Sequence, residues 1–182
     1  MKNVYLMLTR SSTLISVYIN LTTTAQYTHS SISLNSALDP ICSVGRHFTF
    51  LNWPAHIKRE PLDREFYWWH RWARVGIYRL QVSEEGWQKI REFIDEQFER
   101  NLQFAFLGIA CCKFGILREY ENKMFCSQFV ANALAASGEI DIQKSAALYH
   151  PDDFLKLKDI SEVYRGRIGD LAETLRKQGT VE

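Results

Sequence analysis

A cysteine placed to become a thiolate and a histidine placed to take its proton are the residues of this chain best suited to chemistry. Cys126 opens the run Cys126-Ser127-Gln128-Phe129-Val130-Ala131-Asn132-Ala133-Leu134. Phe125, Phe129 and Ala133 recur four apart, as do Cys126, Val130 and Leu134, which makes one broad apolar face at helical period. Gly138 follows where a left-handed cap stops a helix. A helix that begins near Phe125 has Cys126 in its first turn. Unpaired backbone N–H groups and the positive dipole end there favour thiolate over thiol. The same spacing also suits a buried cysteine that packs as a small hydrophobe.

The histidine is His29. From Tyr27 to Asn35 the chain alternates, so Tyr27, His29, Ser31 and Ser33 share one face of a strand and Thr28, Ser30, Ile32 and Leu34 the other. His29 then lies on the polar face, as a surface histidine also would. An imidazole within reach of the thiol takes its proton and leaves a thiolate–imidazolium pair. Attack on an acyl carbon gives an oxyanion that the Cys126 N–H helps to stabilise.

Other chemistries fit less well. Cys42, Cys111, Cys112 and Cys126 match neither a zinc-ribbon spacing nor a secreted disulfide framework, and unpaired thiols suit a reducing compartment. Histidines 29, 47, 56, 70 and 150 never stand three to five apart on a confident helix, and there is no phosphate loop or dinucleotide fingerprint. No metal and no organic cofactor are expected. Lys+Arg is 22 against Asp+Glu 21, so no broad field selects nucleic acid. Trp53, Trp68, Trp69 and Trp72 mix with basic residues, but Glu60, Asp63 and Glu65 largely cancel that charge. Arg10 interrupts the first apolar run before a signal or membrane segment forms, and a cytoplasmic protein without a transmembrane segment is expected.

The elements that must position these residues follow from the pattern. Val4–Thr9 reads as a buried strand, Leu14–Leu21 as a helix, and Ile41–Phe50 as a strand with Ser43 opposite Cys42 and Val44. Residues 51–75 read as a loop with a short helix, and Gly76–Val82 as a strand. Ser83 caps a helix striped with Trp87, Ile90, Ile94 and Phe98. Residues Phe104–Phe114 read as a second, apolar helix with Cys111 and Cys112 in the core. His150-Pro151 starts a short helix, Ile160–Tyr164 is a last short strand, and Leu171–Gln178 a charged terminal helix or tail. One domain over 1–182 is expected, with its core at about 4–166 and a tail from 167 to 182.

The segment Phe125-Cys126-Ser127-Gln128-Phe129-Val130, with Ala133-Leu134 and Gly138, resembles the nucleophile segment of the circularly permuted NlpC/P60 (YiiX/YycO-like) papain-like cysteine hydrolases. Tyr27-Thr28-His29-Ser30-Ser31-Ile32-Ser33-Leu34 is similar to that group's histidine strand and precedes the cysteine, which is the permuted order. Leu8-Thr9-Arg10, Cys42-Ser43-Val44-Gly45-Arg46 and Tyr149-His150-Pro151-Asp152-Asp153 are similar as well.

The resemblance implies an α+β papain-like domain, a small antiparallel sheet or half-barrel packed against helices that include the nucleophile helix. It implies a cysteine peptidase or amidase that works without metal or cofactor, through Cys126 as nucleophile, His29 as base and a thioester acyl-enzyme. The orienting residue of that group lies after the histidine strand, where Ser43 is best placed by alternation. Glu60 is the alternative, because a carboxylate stabilises imidazolium better. The expected substrate is a small peptide-like or acyl compound. A lipid acyl hydrolase or acyltransferase on the same fold, and a binding domain with a vestigial cysteine, are the competing readings.

Overall fold

The computed structural model describes residues 1–10, 25–46, 55–60 and 71–179, with the side chains of Arg46, Ala55, Glu60 and 176–179 excepted. The helix expected at 14–21, His47, His70, Trp53, Trp68 and Trp69 lie outside the described residues. In chain order the strands are β1 (Lys2–Arg10), β2 (His29–Ser33), β3 (Ile41–Arg46), β4 (Ala55–Glu60), β5 (Arg74–Val82), β6 (Gln103–Phe104), β7 (Lys123–Met124) and β8 (Ser161–Arg167). The helices are α1 (Glu84–Glu99), α2 (Phe106–Lys113), α3 (Cys126–Ala136) and α4 (Ile168–Gly179), with 3-10 turns at Ala146–Leu148 and Pro151–Lys156.

The strands form one curled sheet in the order β7-β6-β4-β3-β2-β1-β5-β8, and the fold class is α+β. β1 lies between β2 and β5, paired through Tyr5↔Ser33 to Thr9↔His29 on one side and Lys2↔Val82 to Arg10↔Arg74 on the other. A strand so placed is buried on both faces, which is why Val4–Leu8 reads as a nearly continuous apolar run. Val4, Leu6 and Leu8 belong to the cluster with Ile32, Val44, Ile57 and Leu80, packed on Ile90 and Ile94 of α1 and Phe129, Val130, Ala133 and Leu134 of α3. This is the inner face. Met7, Val75, Ile77 and Ile41 point the other way and pack with Leu38, Ile168 and Leu171. This is the outer face, covered at that end by α4.

Two expectations change. Among the described residues the sheet is an eight-stranded half-barrel packed against helices, the second of the two forms expected, and it is mixed rather than wholly antiparallel, because β6 and β7 run parallel through Gln103↔Lys123 and Phe104↔Met124. Residues 55–60, placed in an irregular segment, are a strand: Ile57 supplies one apolar position, and the Ile41↔Glu60 to Arg46↔Ala55 ladder with β3 does the rest. Tertiary pairing overrides a weak local signal there. The core also runs past residue 166, since Ile168 and Leu171 are buried.

α1 starts where expected. Ser83 accepts the Gly86 N–H at 3.0 Å, and Glu84 and Glu85 fill the first turn.

Candidate active site

α3 begins at Cys126 itself. Phe125 is its N-cap, extended in backbone and without a side-chain acceptor, so it leaves first-turn N–H groups uncapped. Those of Cys126 and Ser127 are turned to the Cys126 sulfur, and the Ser30 N–H joins them from β2. Among the described residues β2 pairs with β3 at Ile32↔Cys42, two residues beyond Ser30. The Ser30 hydroxyl also faces the thiol and has no other hydrogen-bond partner among the described residues, although Ser30 is fully buried. Burial pushes the Cys126 thiol up from its ordinary range, against the pull of these donors. In this resting arrangement the sulfur is a protonated thiol held in a cradle of N–H groups.

The helix mouth is fastened from behind. The Ser127 hydroxyl donates to the Tyr149 carbonyl at 2.6 Å. Tyr149 in turn stacks at a tilt on Phe154, with ring centroids 5.0 Å apart.

His29 is the first residue of β2, immediately before Ser30. Its Cα is two bonds from the Ser30 nitrogen, which puts it within about 6 Å of the sulfur. Strand alternation turns its side chain to the outer face, opposite Ser30. There its Nε2 lies 3.3 Å from the Ser31 hydroxyl, and its Cε1 is 3.9 Å from where a Cβ on Gly45 would sit. The sheet thus brings His29 to the helix mouth at backbone level, and the ring rests on the far side of the strand.

The two orienting candidates fare differently. Ser43 is buried on the outer face, the same face as His29 and Ser31. The hydroxyl that meets the His29 ring is nevertheless Ser31, from the same strand. Glu60 stands farther off along the ladder. It pairs with Ile41, four residues along β3 from Gly45, or about 13 Å at strand rise. Its side chain lies outside the described residues. His56 is the nearer polar residue on β4, since it pairs with Gly45 directly.

Two further residues carry signals that alternation alone does not show. Asp152 accepts the Gln26 N–H at 2.7 Å with Oδ2 and the Tyr27 N–H at 2.8 Å with Oδ1, and so pins the approach to β2 from 125 residues away. Cys112 of α2, expected in the core, is buried but has its sulfur 3.7 Å from His150 Nε2. Burial raises its thiol to about 11, and burial likewise lowers His150, so that pair is neutral at physiological pH. Cys42 is also raised to about 11 by burial, against the opposing pull of Arg59.

Among the described residues no group of three or more His, Cys, Asp and Glu side chains is arranged to hold a metal ion. No helix among them is long and apolar enough to cross a membrane. No protein-family model matches the sequence, and no curated protein does.

Proposed function

We propose that the protein is a cysteine hydrolase of the permuted NlpC/P60 type, cleaving an amide bond with Cys126 as nucleophile and His29 as base. The observation that carries this reading is the Cys126 sulfur set against three backbone N–H groups at an uncapped helix mouth. That arrangement serves a thiolate before attack and an oxyanion after it. Bringing the ring from the Ser31 hydroxyl to the sulfur takes a change of backbone at His29, the first residue of β2, because χ1 alone leaves the ring on the outer side of the strand. The thiol proton passes to the imidazole as sulfur attacks the acyl carbon. The imidazolium then gives that proton to the leaving amine, the thioester forms, and water hydrolyses it with His29 again as base.

The Ser31 hydroxyl meets the ring in its resting place, with Ser43 and His56 on the same face of the neighbouring strands. A hydroxyl orients less strongly than a carboxylate, so a modest turnover is expected.

Alkylation by iodoacetamide near pH 6 tests the pair. Burial raises the Cys126 thiol as it does those of Cys42 and Cys112, so only transfer of its proton to His29 is expected to make Cys126 react faster than Cys42, Cys111 and Cys112. His29→Ala is expected to remove that advantage. Equal rates at all thiols in the wild type would sink the dyad.

A second reading keeps the nucleophile and changes the substrate to a lipid ester. It is favoured by the exposed apolar side chains of α2 and the turn after it, since Gly108 of α2 lies against Phe125 at the start of α3. Peptide and lipid ester panels, with Cys126→Ala as control, divide the two.

A further inference from the structure

Seven large hydrophobic side chains are strongly exposed among the described residues, and four of them fall within eleven positions: Leu107 (62%), Phe114 (70%), Ile116 (55%) and Leu117 (58%). Scattered exposed apolar residues need no explanation, but a cluster at one tip does. α2 explains part of it. The helix is apolar on all sides, so burying Gly108 and Cys112 leaves apolar residues facing water.

We propose that this tip, residues 106–118, docks onto an anionic lipid surface. Two observations select that occupant. First, the backbone of the turn is closed on itself. The Phe114 N–H bonds to Cys111 at 3.1 Å, Gly115 to Cys112 at 3.0 Å and Ile116 to Cys111 at 2.8 Å, with Gly115 left-handed at φ +68. This is the double-bonded helix stop in which a glycine takes the position after the cap. Its usual apolar contact is missing, because Ile116 points outward. Amides satisfied internally are what a segment must have to enter the hydrocarbon boundary, where no water is at hand to bond them.

Second, the charge within the tip is one-signed. Lys113 and Arg118 bracket the exposed turn 114–117, and the next charged residue, Glu119, lies outside the tip and accepts from the Ser145 hydroxyl at 3.4 Å. Lys113 lies over the Phe114 ring, 5.9 Å from its centroid. A cation beside each end of an apolar tip is the pattern of an interfacial anchor, with the charges at the lipid head groups. The inference stands whether or not Cys126 is a nucleophile.

The test is co-sedimentation of the full chain with phosphatidylcholine vesicles, with and without phosphatidylglycerol. The wild type is expected to pellet with the anionic vesicles and to be released by salt. Phe114→Ser with Leu117→Ser is expected to lower partitioning at least tenfold while circular dichroism and Tm stay unchanged, since both side chains are in water. Lys113→Gln with Arg118→Gln is expected to lose about fivefold per cation. No pelleting of the wild type, or equal pelleting of the Ser double variant, overturns the proposal. So does a dimer in sedimentation equilibrium that the Ser variant abolishes without any vesicle binding, which would assign the tip to a second copy of the chain.

Discussion

β2 presents different chemistry to the two faces of the sheet. On the inner face it offers Ser30 and Ile32 to α3, within the larger apolar cluster. On the outer face it offers His29, Ser31 and Ser33, with the buried hydroxyls of Thr9 and Ser43 on the neighbouring strands. The difference decides where charge is tolerated. A thiolate on the inner face has only backbone N–H groups and one serine to stabilise it, and burial wins, so the thiol stays protonated. An imidazole on the outer face has hydroxyls beside it. A hydrolase built on this strand therefore has its nucleophile and base separated at rest by the thickness of one strand, and they act together only when the backbone at the start of β2 turns the histidine over.

The largest effect that separates the faces is in stability. Phe129 is fully buried in the inner cluster, and Phe129→Ala is expected to cost about 3–5 kcal/mol. Met7 is as deeply buried on the outer face, but in a smaller cluster closed by α4. Met7→Ala is expected near the lower end of the same class, about 2 kcal/mol. Urea denaturation of both variants measures the order, and a larger loss for Met7→Ala would make the outer cluster the main core.

Asp152 comes next, because it joins the faces. Its carboxylate holds two backbone N–H groups just before His29, one of them at an exposed residue. Asp152→Asn keeps the shape but can accept only one of the two N–H groups, since its amide nitrogen is a donor, and is expected to cost about 2 kcal/mol. On the proposed mechanism it also slows Cys126 alkylation, as the histidine strand loosens. Thermal melts together with mass-spectrometric labelling separate the outcomes: a loss of stability with unchanged labelling leaves Asp152 a purely structural clamp.

The elements were legible where periodicity was strong. The Cys126 helix, its uncapped start and the Ser83-capped helix all read directly from spacing, and so did the alternation that puts His29 and Ser43 on one face. Residues 55–60 were not legible, because a strand with one apolar residue is made by its partner rather than by its own sequence. Ser30 was the missed signal at the site. It is a polar residue on the apolar face of its strand, and a polar side chain in that position is either satisfied by something nearby or placed for use. Asp152 had no such mark, since its partners are backbone amides that any residues would supply. Phe104–Phe114 reads as an apolar helix with Cys111 and Cys112 in the core, and composition cannot tell an apolar segment turned inward from one turned out.

The sharpest contrast for one added methyl group comes from the same substitution made on each face. Gly76 lies on the inner face beneath the pair of tyrosines whose hydroxyls meet at 3.0 Å. A Cβ there would stand 2.4 Å from the Tyr27 hydroxyl oxygen and 2.7 Å from a Tyr78 ring carbon. Both rings are buried, so neither has room to yield, and Gly76→Ala is expected to cost about 1–3 kcal/mol. Gly45 lies on the outer face beside His29. A Cβ there would be 3.6 Å from Lys58 Cε and 3.9 Å from His29 Cε1, which is ordinary contact. Alanine also narrows the unfolded chain's freedom, so Gly45→Ala is expected to be neutral or to stabilise by up to about 1 kcal/mol. The same methyl group would then limit the His29 swing, and slower Cys126 alkylation in a variant of unchanged or higher Tm would locate the path of the ring over Gly45. Unchanged alkylation would place that path on the other side of the strand.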